Sequence, residues 1–262
     1  MKVMRAIYTI WYRDVLRFWR EKARLVGAFG MPLLFLVIFG SGLSGSMGML
    51  APGVGFTKFM FPGIVGMVVL MQSFMSGMSV VWDREFGFLK EVLVAPVSRT
   101  AVAAGKTIGG ATIGVAQGIV ILIFAPLLGV SLSPILILKL VPLLFIMGCA
   151  VSGLGILLAT RMRSMEAFMT VMNMLVFPML FLSGVFFPLG NLPTWMTVLV
   201  KVNPVTYAIA SIRELMLPGM PRGSFSATLF GHAMSIGEDV LFVAGFGLVM
   251  VVLAMWSFRR QE

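Results

Sequence analysis

Residues 82–106 read WDREFGFLKEVLVAPVSRTAVAAGK and hold four of the twenty basic residues and three of the ten acidic ones. Long apolar runs flank this stretch on both sides, so its charges are expected to lie just outside a membrane. Within it, residues 83–91 are predicted to form a short helix. Phe86, Leu89 and Leu93 share one side of that helix, because they recur at three- and four-residue spacing.

The charged side chains of this short helix are predicted to stay in water; they are Arg84, Glu85, Lys90 and Glu91. Pro96 ends the helix, since proline has no N–H and restricts the residue before it. The loop 83–97 therefore places a rigid helix between two spans. Such a helix is expected to transmit the movement of a soluble partner to the two spans.

The composition of the whole chain is that of a membrane protein. Hydrophobic residues make up 59% of the 262 residues and charged residues 11%, which excludes an ordinary soluble domain. A helix needs roughly 20 apolar residues to cross the hydrocarbon core. We therefore predict an all-α integral membrane protein with six transmembrane helices, at 25–44, 59–82, 101–130, 134–160, 167–187 and 240–258.

The net charge of +10 is explained by topology, because the basic residues border the apolar runs and do not form one polar face. No nucleic-acid partner is expected. With both termini in the cytoplasm, fifteen basic residues lie inside and five outside. This asymmetry follows the positive-inside rule and predicts a multi-pass protein of the inner membrane.

Residues 1–24 carry seven basic groups and no apolar core, so they are not expected to be a cleaved signal peptide. Met4, Ile7, Trp11, Val15 and Phe18 recur at helical spacing, which predicts an amphipathic helix lying along the membrane. The alternative is a basic flank that only orients the first span. The lone cysteine, Cys149, excludes an intrachain disulfide or a cysteine metal cluster.

Two rows of glycine run along the third span. They are Gly105 with Gly109, and Gly110 with Gly114 and Gly118. Small residues at four-residue spacing let helix backbones approach closely, which favours helix packing at these rows.

The segment 188–239, between the fifth and sixth spans, is broken by several prolines. Its apolar runs at 192–202 and 205–217 are too short to cross, which predicts short re-entrant helices in the outer leaflet. Arg213 and Glu214 are expected to pair with polar partners or headgroups there. The alternative for both is exposure to water.

Residue patterns for catalysis, cofactors or metals are missing, so the chain is not expected to be an enzyme. Gly105-Lys106-Thr107 resembles the end of a phosphate-binding loop, but Thr100 stands where the leading glycine is required. Lys106 is therefore interpreted as a cation that snorkels to the inner surface. Glu166, Glu238 and Asp239 lie at span ends, so no ion-coupling site is predicted. The energy for transport is then expected to come from a partner protein.

Several motifs together resemble one family over nearly the whole chain. They are Pro62-Gly63; Arg84-Glu85-Phe86-Gly87 with Leu89, Pro96, Ser98-Arg99 and Gly105-Lys106; and FLSGVFFP, LPTW and NPVTYAIASIRELM near the end. Their order and spacing are similar to those of the permease subunit of type-2 ABC transporters, of the drug- and polysaccharide-export kind.

The resemblance implies that two permease subunits, expected to be identical copies, enclose a path between them. It implies two copies of a separate ATPase, which would hold ATP and magnesium, and a connecting helix at the N-terminus. It also implies that a coupling helix docks on the ATPase through Arg84, Glu85, Phe86, Gly87, Leu89, Lys90, Glu91 and Leu93. The short outer helices would close the path at a gate that includes Phe186, Phe187, Pro188, Trp195, Tyr207, Arg213 and Glu214.

The predicted function is export of a hydrophobic or amphiphilic substrate, such as a drug or lipid, by alternating access. The aromatic residues are mostly phenylalanine, which disfavours the aromatic-lined channel typical of long-chain polysaccharide exporters. The alternatives are a polysaccharide or glycolipid exporter, a self-sufficient secondary transporter, and a membrane assembly factor that moves nothing.

Overall fold

A computed structural model of the chain describes residues 2–20, 22–42, 55–86, 98–190, 192–219, 228–229 and 232–259. Its helices are α1 (Lys2–Arg20), α2 (Lys22–Gly42), α3 (Phe56–Phe74), α4 (Ser76–Glu85), α5 (Arg99–Leu122), α6 (Pro134–Ala159), α7 (Met165–Phe181), α8 (Thr194–Val202), α9 (Pro204–Met216) and α10 (Ile236–Arg259). The helical prediction is confirmed. A minimal antiparallel pair, β1 (Thr228–Leu229) and β2 (His232–Ala233), was not predicted.

Four helical segments are long and apolar enough to cross a membrane: α3 with α4 as one 30-residue segment, α5, α6 and α10. The pair α8 and α9 is bent by 81° and gives a fifth segment if it is counted as one broken span. Residues 30–40 of α2 and the 17 residues of α7 form shorter apolar helices. The described residues thus establish several spans, and the count of six stays a prediction.

Local sequence signals set the helix starts. Ser98, Ser133 and Ser164 each accept a hydrogen bond from the backbone N–H three residues ahead, at the beginning of α5, α6 and α7. Each hydroxyl satisfies one of the donors that the first helical turn leaves without a partner. At the start of α6, the ring of Pro134 fixes the φ angle at a value that suits a helix.

The bundle is built around α3. This helix packs against α2, α5, α6 and α9, and its side chains from Phe59 to Leu70 are all buried. By contrast, α10 lies at the periphery, because 22% of its most apolar stretch is buried, against 72% for the α3–α4 segment. The exposed apolar surface of α10 is therefore available to lipid or to another subunit.

The N-terminal helix α1 lies against α5. Phe18 is 3% exposed, whereas Tyr8, Tyr12 and Trp19 are each at least half exposed. A helix is therefore present over Lys2–Arg20 with one face packed on the bundle, and its position along the membrane stays a prediction.

Candidate functional site

Four charged side chains from three helices meet at one end of the bundle, and we name Arg13, Asp14, Asp83 and Lys106 the charged cluster. Lys106 Nζ lies 2.7 Å from Asp83 Oδ2 and donates to Ser79 Oγ at 2.8 Å. Arg13 Nη2 lies 3.2 Å from Asp14 Oδ1 and 3.4 Å from Asp83 Oδ2. The cluster therefore joins α1, α4 and α5 by charge.

Apolar and polar contacts hold α1 in place beside the cluster. The Trp11 indole N–H donates to Thr112 Oγ1 on α5 at 3.0 Å. The Arg17 guanidinium carbon lies 4.6 Å from the centre of a Trp82 ring on α4, which is cation–π geometry. A movement of α4 would therefore displace α1 as well.

The end of α4 is also tied to the far side of the bundle. Arg84 donates to the backbone carbonyl oxygens of Met162 at 2.7 Å and Thr160 at 3.1 Å, in the connection between α6 and α7. The hydroxyls of Thr160 and Ser257 are 2.6 Å apart and join α6 to α10. These contacts link the end of α4 to the end of α6 and to α10.

The predicted coupling residues begin at the end of this segment. Arg84 and Glu85 form the last turn of α4 and Phe86 follows as its C-cap, with Phe86 74% exposed. Gly87, Leu89, Lys90, Glu91 and Leu93 lie outside the described residues. Their role, and that of the three described residues, stays a prediction.

Two details of the prediction for this stretch are wrong. The helix that contains Asp83 begins at Ser76 and ends at Glu85, so it continues the second span and does not start a new helix at Asp83. Arg84 is only partly in water. It is half-buried because it caps the carbonyl groups at the end of α6.

The interpretation of Lys106 as a snorkelling cation is also wrong. Its side chain is 1% exposed, because the Asp83 carboxylate and the Ser79 hydroxyl hold the ammonium between α4 and α5. A buried charge pair is costly to desolvate and therefore needs close partners of this kind.

Both predicted glycine rows lie at helix contacts, but they face different neighbours. A Cβ at Gly105 would lie 3.0 Å from the Ile7 carbonyl oxygen of α1, and one at Gly109 would lie 3.6 Å from Asp14 Cβ. On the second row, a Cβ at Gly114 would lie 2.5 Å from Ser73 Oγ and one at Gly118 would lie 2.9 Å from Val69 Cγ2.

Gly110 has the tightest surroundings of the second row. A Cβ there would overlap Ser76 Cβ of α4 and would lie 2.7 Å from Ser152 Oγ of α6. The hydroxyls of Ser76 and Ser152 hydrogen-bond to each other across this point. Gly110 therefore sits where three helices cross.

The opposite end of the bundle contains the bent pair α8 and α9. Asn203 forms the joint: its side-chain oxygen accepts from the Val205 N–H at 3.1 Å, and its amide donates to the Met179 carbonyl at 2.7 Å. The Tyr207 hydroxyl donates to the Lys201 carbonyl at 2.6 Å. Two short helices are present where the prolines predicted them, with the joint bonded to α7, and their re-entrant position in the outer leaflet stays a prediction.

Arg213 lies in the buried face of α9 and is 2% exposed. Its guanidinium donates to the Gly184 carbonyl at 2.6 Å and lies 4.2 Å from the centre of the Phe59 ring. Gly184 has a φ of 78°, a conformation open to glycine, and this turn aims the carbonyl at Arg213. Arg213 thus has a polar partner inside the protein, and Glu214 beside it is half-buried.

The structure separates the other predicted gate residues. Phe186 contacts the rings of Phe181, Phe35 and Phe39 in tilted arrangements, at ring-centre distances between 4.9 and 6.0 Å. Phe187 and Pro188 are half-buried in the same turn, whereas Trp195 is 65% exposed and Tyr207 is fully buried against Phe242. Their action as a gate stays a prediction.

Sequence reasoning missed three buried ionisable groups. Asp83 and Lys106 were placed in the loop and at the surface, and Asp239 was treated as a span-end residue. Asp239 is 2% exposed and accepts a hydrogen bond from Ser211 Oγ at 3.0 Å. One signal in the sequence pointed to the burial of Lys106, which lies two turns inside α5.

Proteins named as transport permeases, and a nodulation protein, are similar in sequence to this chain. The transport permease ycf38 of Cyanophora paradoxa is 29% identical over 241 residues, which cover 89% of this chain and 82% of that protein. The inner membrane transport permease YadH of Escherichia coli K12 is 28% identical, over 79% of this chain and 81% of that protein. Nodulation protein J of Rhizobium leguminosarum bv. viciae is 26% identical, over 81% of this chain and 82% of that protein.

A model of the ABC-2 type transporter family matches residues 5–217, which include most of α1, the charged cluster, the glycine rows and the bent pair. The match covers well over half of the chain. The features that suggested a type-2 ABC permease therefore lie inside the matched region. This chain belongs to the ABC-2 type transporter family.

Proposed function

We propose that this membrane subunit is the permease of an exporter that moves a hydrophobic or amphiphilic molecule, a drug or lipid, across the inner membrane. Two copies of a separate ATPase subunit, with ATP and magnesium, would drive alternating access. The observation that carries the proposal is the set of links at the end of α4. Because this end joins α1, α5 and the connection between α6 and α7, a push on residues 87–97 would be transmitted to these elements.

The second part of the proposal concerns the outer side of the protein, where the bent pair α8 and α9 lies. Asn203 ties the joint of α8 and α9 to α7, and Arg213 ties α9 to the turn that contains Gly184 and Phe186. A rotation of α7 would therefore carry the joint and this turn with it. We infer that these elements close the path at the outer side.

The proposed arrangement in the membrane has six spans, both termini in the cytoplasm and a second, identical permease subunit. The distribution of basic residues supports this orientation. Met31, Leu34 and Val37 on α2, and Met174 and Phe177 on α7, are 45% to 80% exposed in the single chain. These apolar faces support a position against a second subunit or against lipid.

The coupling role is tested by Glu85→Arg together with Phe86→Ala in the complex with its ATPase. Phe86 is 74% exposed and makes an edge-on ring contact with Trp82 at 6.3 Å, so its truncation removes a surface available to a partner together with one internal ring contact. We expect substrate-stimulated ATP turnover to fall about tenfold or more, the size of effect that an anchor residue of an interface has. The helix content and the elution volume of the permease should not change.

The matched control combines Lys139→Glu with Leu127→Ala, which reverses an exposed charge and truncates an exposed apolar residue near the connection between α5 and α6, at the other end of the bundle. Its turnover should stay near that of the wild type. Full turnover in the Glu85 and Phe86 variant would show that the α4 end is not the coupling site.

A further inference from the structure

Helix α7 is attached to the bundle by one narrow stripe of side chains. The buried residues of α7 are Phe168, Met172, Val176 and Leu180, which recur at every fourth position. Residues at this spacing lie one above the other along a helix. The opposite side of α7 is exposed in the single chain.

The exposed side of α7 carries polar residues within the predicted fifth span. Thr170, Asn173 and Phe177 are exposed, and their three- and four-residue spacing places them on one side of the helix. The Thr170 hydroxyl donates to the carbonyl oxygen of Glu166 at 2.9 Å. The Asn173 side chain has no hydrogen-bond partner among the residues that the structure describes. Its amide is therefore available to a partner outside the chain.

Asn173 lies at the midpoint of the 17-residue helix α7. At a rise of 1.5 Å per residue, it is about 12 Å from either end of the helix. Lysine and arginine reach the membrane surface from within a span because their stems are long, but the asparagine side chain is short. An amide without a partner in hydrocarbon is unfavourable, so this position does not suit a side that faces only lipid.

The exposed side of α10 has a different character. Its exposed residues between positions 241 and 256 are all apolar: Leu241, Gly245, Leu248, Val249, Val252, Leu253 and Trp256. Such a surface makes no demand for hydrogen bonds and suits contact with lipid. The contrast between the two helices indicates that α7, and not α10, faces a polar partner in the membrane.

A second copy of the chain supplies a partner of matching chemistry. The asparagine side chain has two donors and one acceptor oxygen, so it can pair with another asparagine. In a two-fold dimer the same patch of each copy meets, and a residue beside the axis meets its own counterpart. Polar side chains that hydrogen-bond between helices stabilise helix association in membranes.

Apolar surface for the same contact lies beside α7. The Phe186 ring contacts Phe35 of α2 and Phe181 of α7, so the two helices lie on the same side of the bundle. On α2, Met31 and Leu34 are 61% and 54% exposed. These side chains would surround the polar contact with apolar packing.

We propose that the α7 helices of two identical copies pack against each other at the two-fold axis, with Asn173 hydrogen-bonded to Asn173 of the partner subunit. Thr170 and Phe177 would be covered by the same contact, and the exposed side of α2 would extend it. This inference rests on the second, identical subunit proposed above and adds the place where the two copies meet.

The first test is disulfide formation between copies of the full-length permease in membranes, with copper phenanthroline and oxygen as the oxidant. The only native cysteine, Cys149, is replaced by alanine, so that each variant has a single cysteine. Asn173→Cys should give a covalent dimer, because two cysteines join when their Cα atoms are within about 7 Å. Leu248→Cys is the matched control, since Leu248 is 67% exposed near the midpoint of α10. It should give only the low yield of random collisions.

The second test is the dissociation constant of the dimer in detergent, measured by energy transfer between labelled copies on dilution. Asn173→Leu should raise this constant about three- to thirtyfold, the factor for one hydrogen-bonded contact between helices in a membrane. Asn173→Gln should retain part of the affinity, since it keeps the amide. Met174→Leu is the control at the next residue, which is 80% exposed, and should dimerise as the wild type does.

Three results would overturn the proposal. They are equal disulfide yields at positions 173 and 248, an unchanged dissociation constant in Asn173→Leu, and modification of the Asn173→Cys variant by a membrane-impermeant maleimide without disulfide formation. The last result would place the amide on a water-filled path.

Neither test measures ATP turnover, so the proposed function is judged separately. A dimer that forms without a contact at Asn173 would end this inference and leave the transport function standing. A permease that stays monomeric at every concentration would contradict both this inference and the proposed second subunit.

Discussion

Asp83→Leu is expected to lower the free energy of unfolding by about 3–5 kcal/mol, the usual result of removing one partner from a buried ion pair. The substitution leaves the Lys106 ammonium, which is 1% exposed, with the Ser79 hydroxyl as its remaining partner among the described residues. Desolvating a charge without a counterion is unfavourable, and a membrane offers little water to relieve it.

Lys106→Met should cost less, roughly 1–3 kcal/mol. Asp83 is 10% exposed and keeps Arg13 at 3.4 Å, so its carboxylate is not left without a cation. The double variant should be more stable than Asp83→Leu alone, because it contains no isolated ammonium. The free energies are measured by denaturant unfolding in detergent, with Lys139→Met as the control at an exposed lysine.

Additive effects of the two substitutions would show that the pair does not interact in the folded protein. A larger loss from Lys106→Met than from Asp83→Leu would reverse the predicted asymmetry. Either result would remove the charged cluster from the proposed path of motion between α1, α4 and α5.

Gly110→Ala is expected to destabilise the protein by about 1–3 kcal/mol or more, the range for overpacking a well-packed core. The added methyl group would overlap Ser76 Cβ and would crowd Ser152 Oγ, so α4 and α6 would have to move apart from α5. Both neighbours are rigid parts of helices, and their hydroxyls are bonded to each other.

Gly109→Ala is the matched control, because it makes the same change one residue earlier on the same helix. A methyl group there meets Asp14 Cβ at 3.6 Å, an ordinary contact distance. Alanine favours a helix over glycine by about 1 kcal/mol, so this variant should be neutral or more stable. The comparison uses thermal unfolding in detergent and the amount of monodisperse protein. Equal stability of the two variants would contradict the three-helix crossing at Gly110.

The helices and their breaks could be predicted in large part from the sequence. Residues 101–130 and 134–160 were predicted as spans, and the structure has helices at Arg99–Leu122 and Pro134–Ala159. The prolines at 193, 204 and 218 correctly predicted two short helices. Proline and capping residues act within a few positions, so their effect is local and visible in one chain.

The partners of the charged residues could not be predicted in the same way. Asp83 and Lys106 lie on separate helices, and their meeting depends on how α4 packs on α5. The glycine rows predicted close approach, but the neighbours of Gly105 and Gly110 depend on which helices lie there. Asp239 is likewise hydrogen-bonded to Ser211, which lies on another helix. Tertiary packing of this kind leaves no periodic signal in the sequence.

The central claim is that this permease works with a separate ATPase subunit, and isolation from native membranes in mild detergent tests it most directly. Mass spectrometry of the isolated complex should find a stoichiometric subunit with a complete phosphate-binding loop, and the complex should show vanadate-sensitive ATP turnover. An intact, folded permease that is reproducibly isolated without such a subunit would contradict the account. Transport driven by an ion gradient alone would then assign this chain to a self-sufficient transporter.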